Sequence, residues 1–314
     1  MIYMGADGVI ISIIIPAKNE EINLKNCLVS VFNIDYPRSC YEVIVVDNGS
    51  TDSTVSVAIS AGATVYQKPG LNISALRNFG VQMTHGDILV FLDADCTVAK
   101  DWLREAEKYF TASEIVCFGS APRIPEQPSW VQKTWFMVRE KKTLVTETPW
   151  LESMNMFVRR GAFDQVGGFD EALTTCEDVD LSYRLSRYGK IVSDQRIVAI
   201  HHGEARNLST FFKKERWRGK SNYRGILQHG LRMDELPSLV LPIYFLLLLL
   251  LSFSFLATSK FSLAAAAGIC WQLPVAGITY RHIHPRLNLG NFFRLLALYN
   301  VYYFARALAV FSHN

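Results

Sequence analysis

Short apolar runs and amphipathic stretches alternate along the first two thirds of the chain. Val9 to Ile15 is short and rich in β-branched residues, which predicts a buried strand halted at Pro16. Ile22, Leu24, Cys27, Leu28, Val31 and Phe32 then recur at helical spacing. Asn19 or Ala17 is expected to open that helix, with Glu20 and Glu21 in its first turn, where acids suit the helix dipole. Tyr41 to Asp47 is a second strand, followed by a glycine turn and a helix capped by Ser50 or Thr51. Ala63 to Lys68 is a third strand. Leu71 to Gly86 reads as a helix with Leu71, Leu76, Phe79 and Met83 inward. Ile88 to Leu92 is a fourth strand that breaks off into Asp93-Ala94-Asp95. This alternation with short loops predicts an α/β fold with a mostly parallel, doubly wound sheet.

Further along, Ser153 to Leu173 predicts a short strand, a turn at Gly161 and a helix ended by Gly167-Gly168. Glu177 and Asp178 open another helix, with Val179, Leu181 and Leu185 on its inward face. A last strand ends in His201-His202. From Leu208 to Leu231 the pattern changes: Lys213, Lys214, Arg216, Arg218, Lys220 and Arg224 interleave with Phe211, Phe212, Trp217, Tyr223, Ile226 and Leu227. That predicts a basic amphipathic helix lying on a membrane surface. Leu236 to Ser259 then runs 24 residues without a charge, and Phe261 to Tyr280 another 20. About 20 apolar residues cross a bilayer core, so both are expected to span it. A third stretch, Phe292 to Phe311, contains Arg294, Asn300 and Arg306 and either spans or lies in the interface.

Charge sharpens this division. Residues 1–205 carry 19 Lys and Arg against 26 Asp and Glu, residues 206–236 carry 8 against 3, and residues 237–314 carry 5 and no acid. We therefore expect a globular domain over 1–205, a basic amphipathic interfacial segment over 206–236 and a membrane region with two or three transmembrane helices over 237–314. The net charge of +3 conceals the split and points to no nucleic-acid partner. Basic residues beside the spans place the globular domain on the cytoplasmic side of a multi-pass membrane protein. The six cysteines form no C-x-x-C pair, so neither a zinc knuckle nor a disulfide framework is supported. The first apolar run follows Asp7 rather than a basic stretch, so it is expected to be a strand and not a signal peptide.

The candidate chemistry lies at strand ends. No G-x-G-x-x-G follows the first strand and no G-x-x-x-x-G-K-[ST] occurs, which disfavours a dinucleotide oxidoreductase and a P-loop enzyme. Asn19, Glu20, Asp47, Asp52, Asp93 and Asp95 stand there instead. Open α/β sheets bind ligands beside those ends. An acidic crevice accepts a diphosphate when Mg²⁺ or Mn²⁺ offsets the charge. A D-x-D pair alone is equally what any solvated strand end presents. Glu177 and Asp178 fit helix capping as well as they fit a general base. Asp180 and Arg184 are spaced for an i, i+4 ion pair.

Together, "IIIPAKNEEINLKNCLVSV", "VIVVDNGSTDST" and "GDILVFLDADC" resemble the nucleotide-sugar-binding half of a family 2 glycosyltransferase with the GT-A fold. The resemblance covers roughly residues 9–205. It implies that Pro16, Ala17 and Glu20, beside Asn19, line the nucleoside pocket. It implies that Asp47 contacts the base, that Arg77 approaches base or diphosphate, and that Asp93 and Asp95, flanking Ala94, hold ribose and metal. Asn155 matches the position that shapes the sugar pocket. The family's "ED" motif falls on Glu177 and Asp178, with Asp178 as the base and Glu177 orienting. His201 or His202 would complete the metal site, and spacing does not choose between them. Asn48 departs from the family where many relatives have a second Asp, and Cys176 stands where Thr is frequent. "KKERW" is similar to the Q-x-x-R-W motif of processive synthases, with Lys213 in place of Gln.

The expected activity is inverting transfer of a sugar from a nucleotide-diphosphate sugar to a hydroxyl of a membrane-proximal, lipid-linked glycan acceptor. Two alternatives stand beside it, a processive polysaccharide synthase and a catalytically silent membrane adaptor.

Overall fold

The computed structural model describes residues 8–139, 143–220, 236–284 and 288–310. The chain divides into two compact units, one of Met1–Pro125 with Lys141–Gly203 and one of Glu126–Glu140 with Glu204–Asn314.

In the first unit the expected alternation is present. Strands β1 (Ile11–Ala17), β2 (Tyr41–Asp47), β3 (Thr64–Gln67) and β4 (Ile88–Leu92) are separated by helices α1 (Glu21–Phe32), α2 (Thr54–Ser60) and α3 (Ile73–Gln82). Then come β5 (Cys96–Val98), α4 (Trp102–Glu107) and β6 (Ile115–Gly119). After residues 126–140 the chain returns with β7 (Val145–Glu147), β8 (Asn155–Arg159), α6 (Arg160–Val166), α7 (Glu177–Leu185), β9 (Lys190–Asp194) and β10 (Ala199–His201). The intervening helix α5 (Trp130–Arg139) belongs to the second unit. The main sheet runs β3-β2-β1-β4-β8-β6-β9-β7, with β5 and β10 forming a small second sheet. It is mixed rather than wholly parallel: β8 lies antiparallel between β4 and β6, and β7 lies antiparallel to β9.

The strand order reverses at β1, which pairs with β2 on one side and β4 on the other. Ligand crevices in such sheets open beyond the strand ends at that reversal. β1 continues through Pro16, beyond its expected stop. Its pairing with β4 ends at Ile14, and from there it has β2 alone as partner. A residue without an N–H is tolerated where one side of the strand is unpaired. Ile11, Ile13, Ile15, Val43, Val45, Val90 and Leu92 pack beneath α1 and α4, and Ile14, Leu89 and Phe91 pack against α6 and α7 on the other face. Both faces of these strands are therefore buried, which is why they read as apolar runs rather than alternating ones.

The second unit is helical. It contains α5, α8 (Leu208–Arg218), α9 (Leu236–Ala257), α10 (Phe261–Ile283) and α11 (Leu289–Val310). Among the described residues, two helices are long and apolar enough to cross a membrane. Val240–Ala257 has mean hydropathy 2.5 and Phe261–Ile283 has 1.5. Helix α11 is of a different kind: its Leu298, Tyr299, Ala305 and Ala309 are buried, and Arg306 is ion-paired. The third hydrophobic stretch thus packs along α8 and α5, with Trp135 against Phe211, Tyr299 and Tyr302. In helix α8, expected to lie on a membrane surface, Phe211 is buried against Trp135 and Leu298, while Trp217 is exposed. The expected continuation through Tyr223, Arg224, Ile226 and Leu227 lies outside the described residues.

Glu215, only 1% exposed, is gripped by Arg306 of α11 at 2.9 Å and by Arg218 at 2.7 Å. Removing one partner of such a buried pair leaves the others uncompensated, a loss of about 3 kcal/mol. Glu215→Ala should therefore lower the melting temperature in detergent by several degrees. An unchanged melt would show that this ion cluster does not join α8 to α11.

Candidate active site

The loops after β1 and β2 are tied together side chain to backbone. Asn19 adopts a left-handed conformation with φ 53°, a region where Asn is among the residues that fit. Its Oδ1 accepts the Thr51 N–H at 2.8 Å, and its own N–H donates to Ser50 Oγ at 2.8 Å. Asn19 is thereby drawn away from the capping role expected of it, and α1 starts after Glu20. Glu20 N–H donates to Thr54 Oγ1, and Glu21 N–H donates to Asp52. Ser50 and Thr51 are engaged in the same way, so α2 begins after Ser53. The Asp52 carboxylate accepts from the Thr54 hydroxyl and N–H, which holds its pKa below the usual value.

Asp47 is buried at the end of β2. Its carboxylate accepts the N–H groups of Gly49 at 2.9 Å and Ser50 at 3.0 Å, and also bonds the Ser50 hydroxyl. It shapes the turn in which it sits. Asn48 makes sense of its departure from the family pattern: its Nδ2 donates to Leu71 O at 2.9 Å while its Oδ1 accepts the Gly70 N–H at 2.8 Å. A carboxylate there could make only the second bond.

Arg77 is the hub of the site. It is 2% exposed on α3, and its guanidinium donates to Asp93 Oδ1 at 2.8 Å and to Glu177 Oε1 at 2.8 Å. Its fork spans two carboxylates from distant parts of the chain, and Phe169 lies against it with 5.4 Å from guanidinium carbon to ring centre. Burial alone would favour losing the proton, but the two carboxylates outweigh this and raise the pKa of Arg77. Arg77 thus brings the end of β4 and the start of α7 into one cluster. Asp178 follows Glu177, half-buried, with Oδ1 accepting the Val179 N–H at 2.8 Å. Desolvation first, then the negative charges of Glu177 and Glu152, push its pKa up to about 7, against the pull of Arg77. Preceding it, Cys176 is held at φ 64°, a left-handed conformation uncommon outside glycine. Asp180 pairs with Arg184 at 2.5 Å, as its spacing predicts.

Asp95 lies just beyond β4, and β10 brings a histidine to it. His201 pairs in register with Cys96, and its Nε2 lies 3.1 Å from Asp95 Oδ2. His202 points elsewhere, with Nε2 2.9 Å from Thr97 Oγ1. The geometry therefore separates the two histidines that spacing left equivalent. A Cβ added at Gly203 would collide with Asp95 Oδ2 and fall 3.0 Å from His201 Nε2, so the backbone packs directly against the pair. A carboxylate and an imidazole side by side fit a divalent cation that draws its remaining ligands from water and a diphosphate. Among the described residues no group of three or more His, Cys, Asp or Glu side chains could hold a metal ion by itself. Gly203 and Glu152 carry no signal in the sequence.

Asn155 is placed differently from its expected role. It is fully buried, with Oδ1 accepting the Trp102 Nε1–H and Nδ2 donating to Ser120 Oγ and Ile197 O, each at 2.9 Å. Its amide braces the interior. Pro16, Ala17 and Ala94 contribute backbone and small apolar surface at the strand ends; Ala17 and Ala94 are buried.

Gly203→Ala should force Asp95 and His201 apart. We expect Mn²⁺ affinity, followed by titration of the ion's paramagnetic signal, to fall at least about tenfold, the scale on which disturbed ligand orientation acts. Unchanged Mn²⁺ binding would remove Asp95 and His201 as ligands.

Residues 12–167 match the family model described as Glycosyl transferase family 2. The chain is 29% identical over 216 residues to Glycosyltransferase AglE of Haloferax volcanii, covering 65% of this chain and 70% of that protein. It is 28% identical over 193 residues to Beta-monoglucosyldiacylglycerol synthase of Nostoc sp., covering 56% of this chain but only 41% of that protein. Among solved structures, the mannosyltransferase PcManGT of Pyrobaculum calidifontis, in complex with GDP-Man and Mn²⁺, superposes with a TM-score of 0.66 at 18% identity, covering 98% of this chain and 90% of that one. S. aureus TarS in complex with UDP-GlcNAc superposes with a TM-score of 0.52 at 18% identity, covering 96% and 90%. With its three strand-end motifs gathered on one sheet edge, this chain belongs to glycosyl transferase family 2 and has the GT-A fold.

Proposed function

We propose that the first unit transfers a sugar, with inversion, from a nucleotide-diphosphate sugar to a hydroxyl of a lipid-linked acceptor at the membrane. The observation that carries this reading is the Arg77 bridge, which unites Asp93 of the donor crevice with the helix start bearing Asp178.

The loops from Pro16 to Glu20 and from Asp47 to Thr54 form the nucleoside rim, with Asn19 and Asp47 holding its shape. Asp95 and His201 would hold Mg²⁺ or Mn²⁺, with Asp93 beside them. When bound, the cation neutralises the diphosphate and stabilises it as leaving group. PcManGT and GalNAc-T7, solved on this fold with Mn²⁺ and a nucleotide or nucleotide sugar, support that assignment. Asp178 takes the proton from the acceptor hydroxyl as its oxygen attacks the anomeric carbon and the bond to the diphosphate breaks. A base works best with a pKa near the working pH, and its raised value suits that task. Glu177, held by Arg77, orients the helix start. The lipid acceptor is supported by the two candidate spans and by a relative named for making a glucosylated diacylglycerol. The basic face of α8 suits an anionic membrane surface with the catalytic unit on the cytoplasmic side. The division into a glycosyltransferase domain, an interfacial basic segment and a membrane region is proposed with residues 126–140 moved out of the first domain, since they belong to the helical unit.

Asp178→Asn keeps the shape and most hydrogen bonds but cannot accept the proton. Transfer should fall by a factor of about 10² to 10⁴ with donor affinity retained. In the wild type, transfer should rise with pH and level off above about 7, where the carboxylate is ionised. Stability has the opposite sign. Between the ordinary value of 3.8 and about 7 the folded protein holds a proton that the unfolded chain has released, so this group's contribution is lost as pH rises through that window. Asp178→Asn should accordingly melt no lower than wild type at pH 8. Near wild-type transfer by this variant would eliminate Asp178 as the base.

A further inference from the structure

The second unit contains a slot that the transfer chemistry does not use. It lies among α8, α9, α10 and α11, with a volume of about 480 Å³. Cavities of roughly 300–1,000 Å³ hold small ligands. Phe212, Phe245, Leu249, Trp271, Val301 and Phe304 line it. Asn300 is also in its wall, but its amide is satisfied within the helices: Oδ1 accepts from Gln272 at 3.0 Å and Nδ2 donates to Leu296 O at 2.8 Å. The wall therefore offers a ligand hydrocarbon contact. One polar group in it remains unmet among the described residues, the buried Trp271 Nε1–H, a donor that an ester or phosphate oxygen would satisfy.

Two features identify the occupant. Two of the four walls, α9 and α10, are the candidate membrane-spanning helices, so the slot stands where lipid chains are the surrounding solvent. The wall from α8 carries a charge pattern. Ser209 and Phe212 line the slot, and one helical turn further along the same face come Lys213 and Arg216, both exposed. A groove of aliphatic and aromatic surface followed by two cations complements an aliphatic chain ending in a phosphate. Resting on the functional reading above, we propose that this slot receives the lipid chain of the acceptor, an aliphatic phosphate or diphosphate whose attached headgroup bears the hydroxyl that is glycosylated, with Lys213 and Arg216 meeting its anionic group.

The test uses the full chain in detergent micelles and a hexadecyl phosphate bearing a photoreactive diazirine. Cross-links mapped by mass spectrometry should concentrate on Phe212, Trp271 and Phe304. Dodecyl phosphate should compete at least tenfold better than dodecanol, and Val301→Trp, which fills the slot, should abolish the labelling. Lys213→Ala with Arg216→Ala should erase the preference for phosphate. Labelling spread evenly over the outer faces of α9 and α10, and indifferent to Val301→Trp, would overturn the proposal. So would slot labelling by a lipid that neither accepts sugar nor inhibits transfer, which would mark a resident bilayer lipid. Donor hydrolysis measured without acceptor reports on the catalytic site alone, so a failure of the glycosyltransfer reading is distinguishable from a failure of this one.

Discussion

The site depends on one buried guanidinium. Arg77 is taken out of water, which is costly for any cation, and its two carboxylate partners come from elements 16 and 100 residues away. Asp93 ends the strand beside the topological reversal, and Glu177 opens the helix that carries Asp178. Glu177 could not be buried there unpaired. With Arg77 between them, the donor crevice and the candidate base share one rigid frame. Burial first, and then the negative charges of Glu177 and Glu152, keep Asp178 from ionising easily.

The frame around this hub was largely readable in the chain. Strands buried on both faces must be continuous apolar runs, so β1, β2 and β4 stood out, and the polar residues closing them marked the crevice edge. Contacts distant in sequence left weaker traces. The family resemblance implied that Arg77 approaches base or diphosphate, and nothing local announces that protein carboxylates, Asp93 and Glu177, hold it. Asn155 matched a family position, but its burial is decided by Trp102, Ser120 and Ile197, which meet only in the fold. His201 lies beside Asp95 and His202 does not because β10 pairs with β5 through His201 and ends there. The antiparallel β8 and the departure of α5 to the second unit were illegible for the same reason. Helix boundaries near Asn19 and Ser50 shifted because those side chains lock the two loops together instead of capping.

The helical unit shows how composition can mislead about its final stretch. Arg306 and Asn300 look out of place in an apolar helix. Each has a specific partner, Glu215 on α8 and Gln272 on α10, so α11 is fixed by polar bonds to its neighbours, while α9 and α10 are the helices apolar enough to cross a membrane. Polar groups of this kind are retained where they fix which helices meet. The slot among these helices is apolar within, and Lys213 and Arg216 follow one turn beyond it on α8.

The claim that Arg77 fuses the two halves of the site is most directly tested by a double-mutant cycle on stability with Arg77→Met and Glu177→Gln. Groups in direct contact couple by about 0.5–3 kcal/mol, whereas independent sites add. We predict a coupling of at least about 1.5 kcal/mol, because each single variant leaves a buried charge that the double variant removes. Simple additivity would contradict the account.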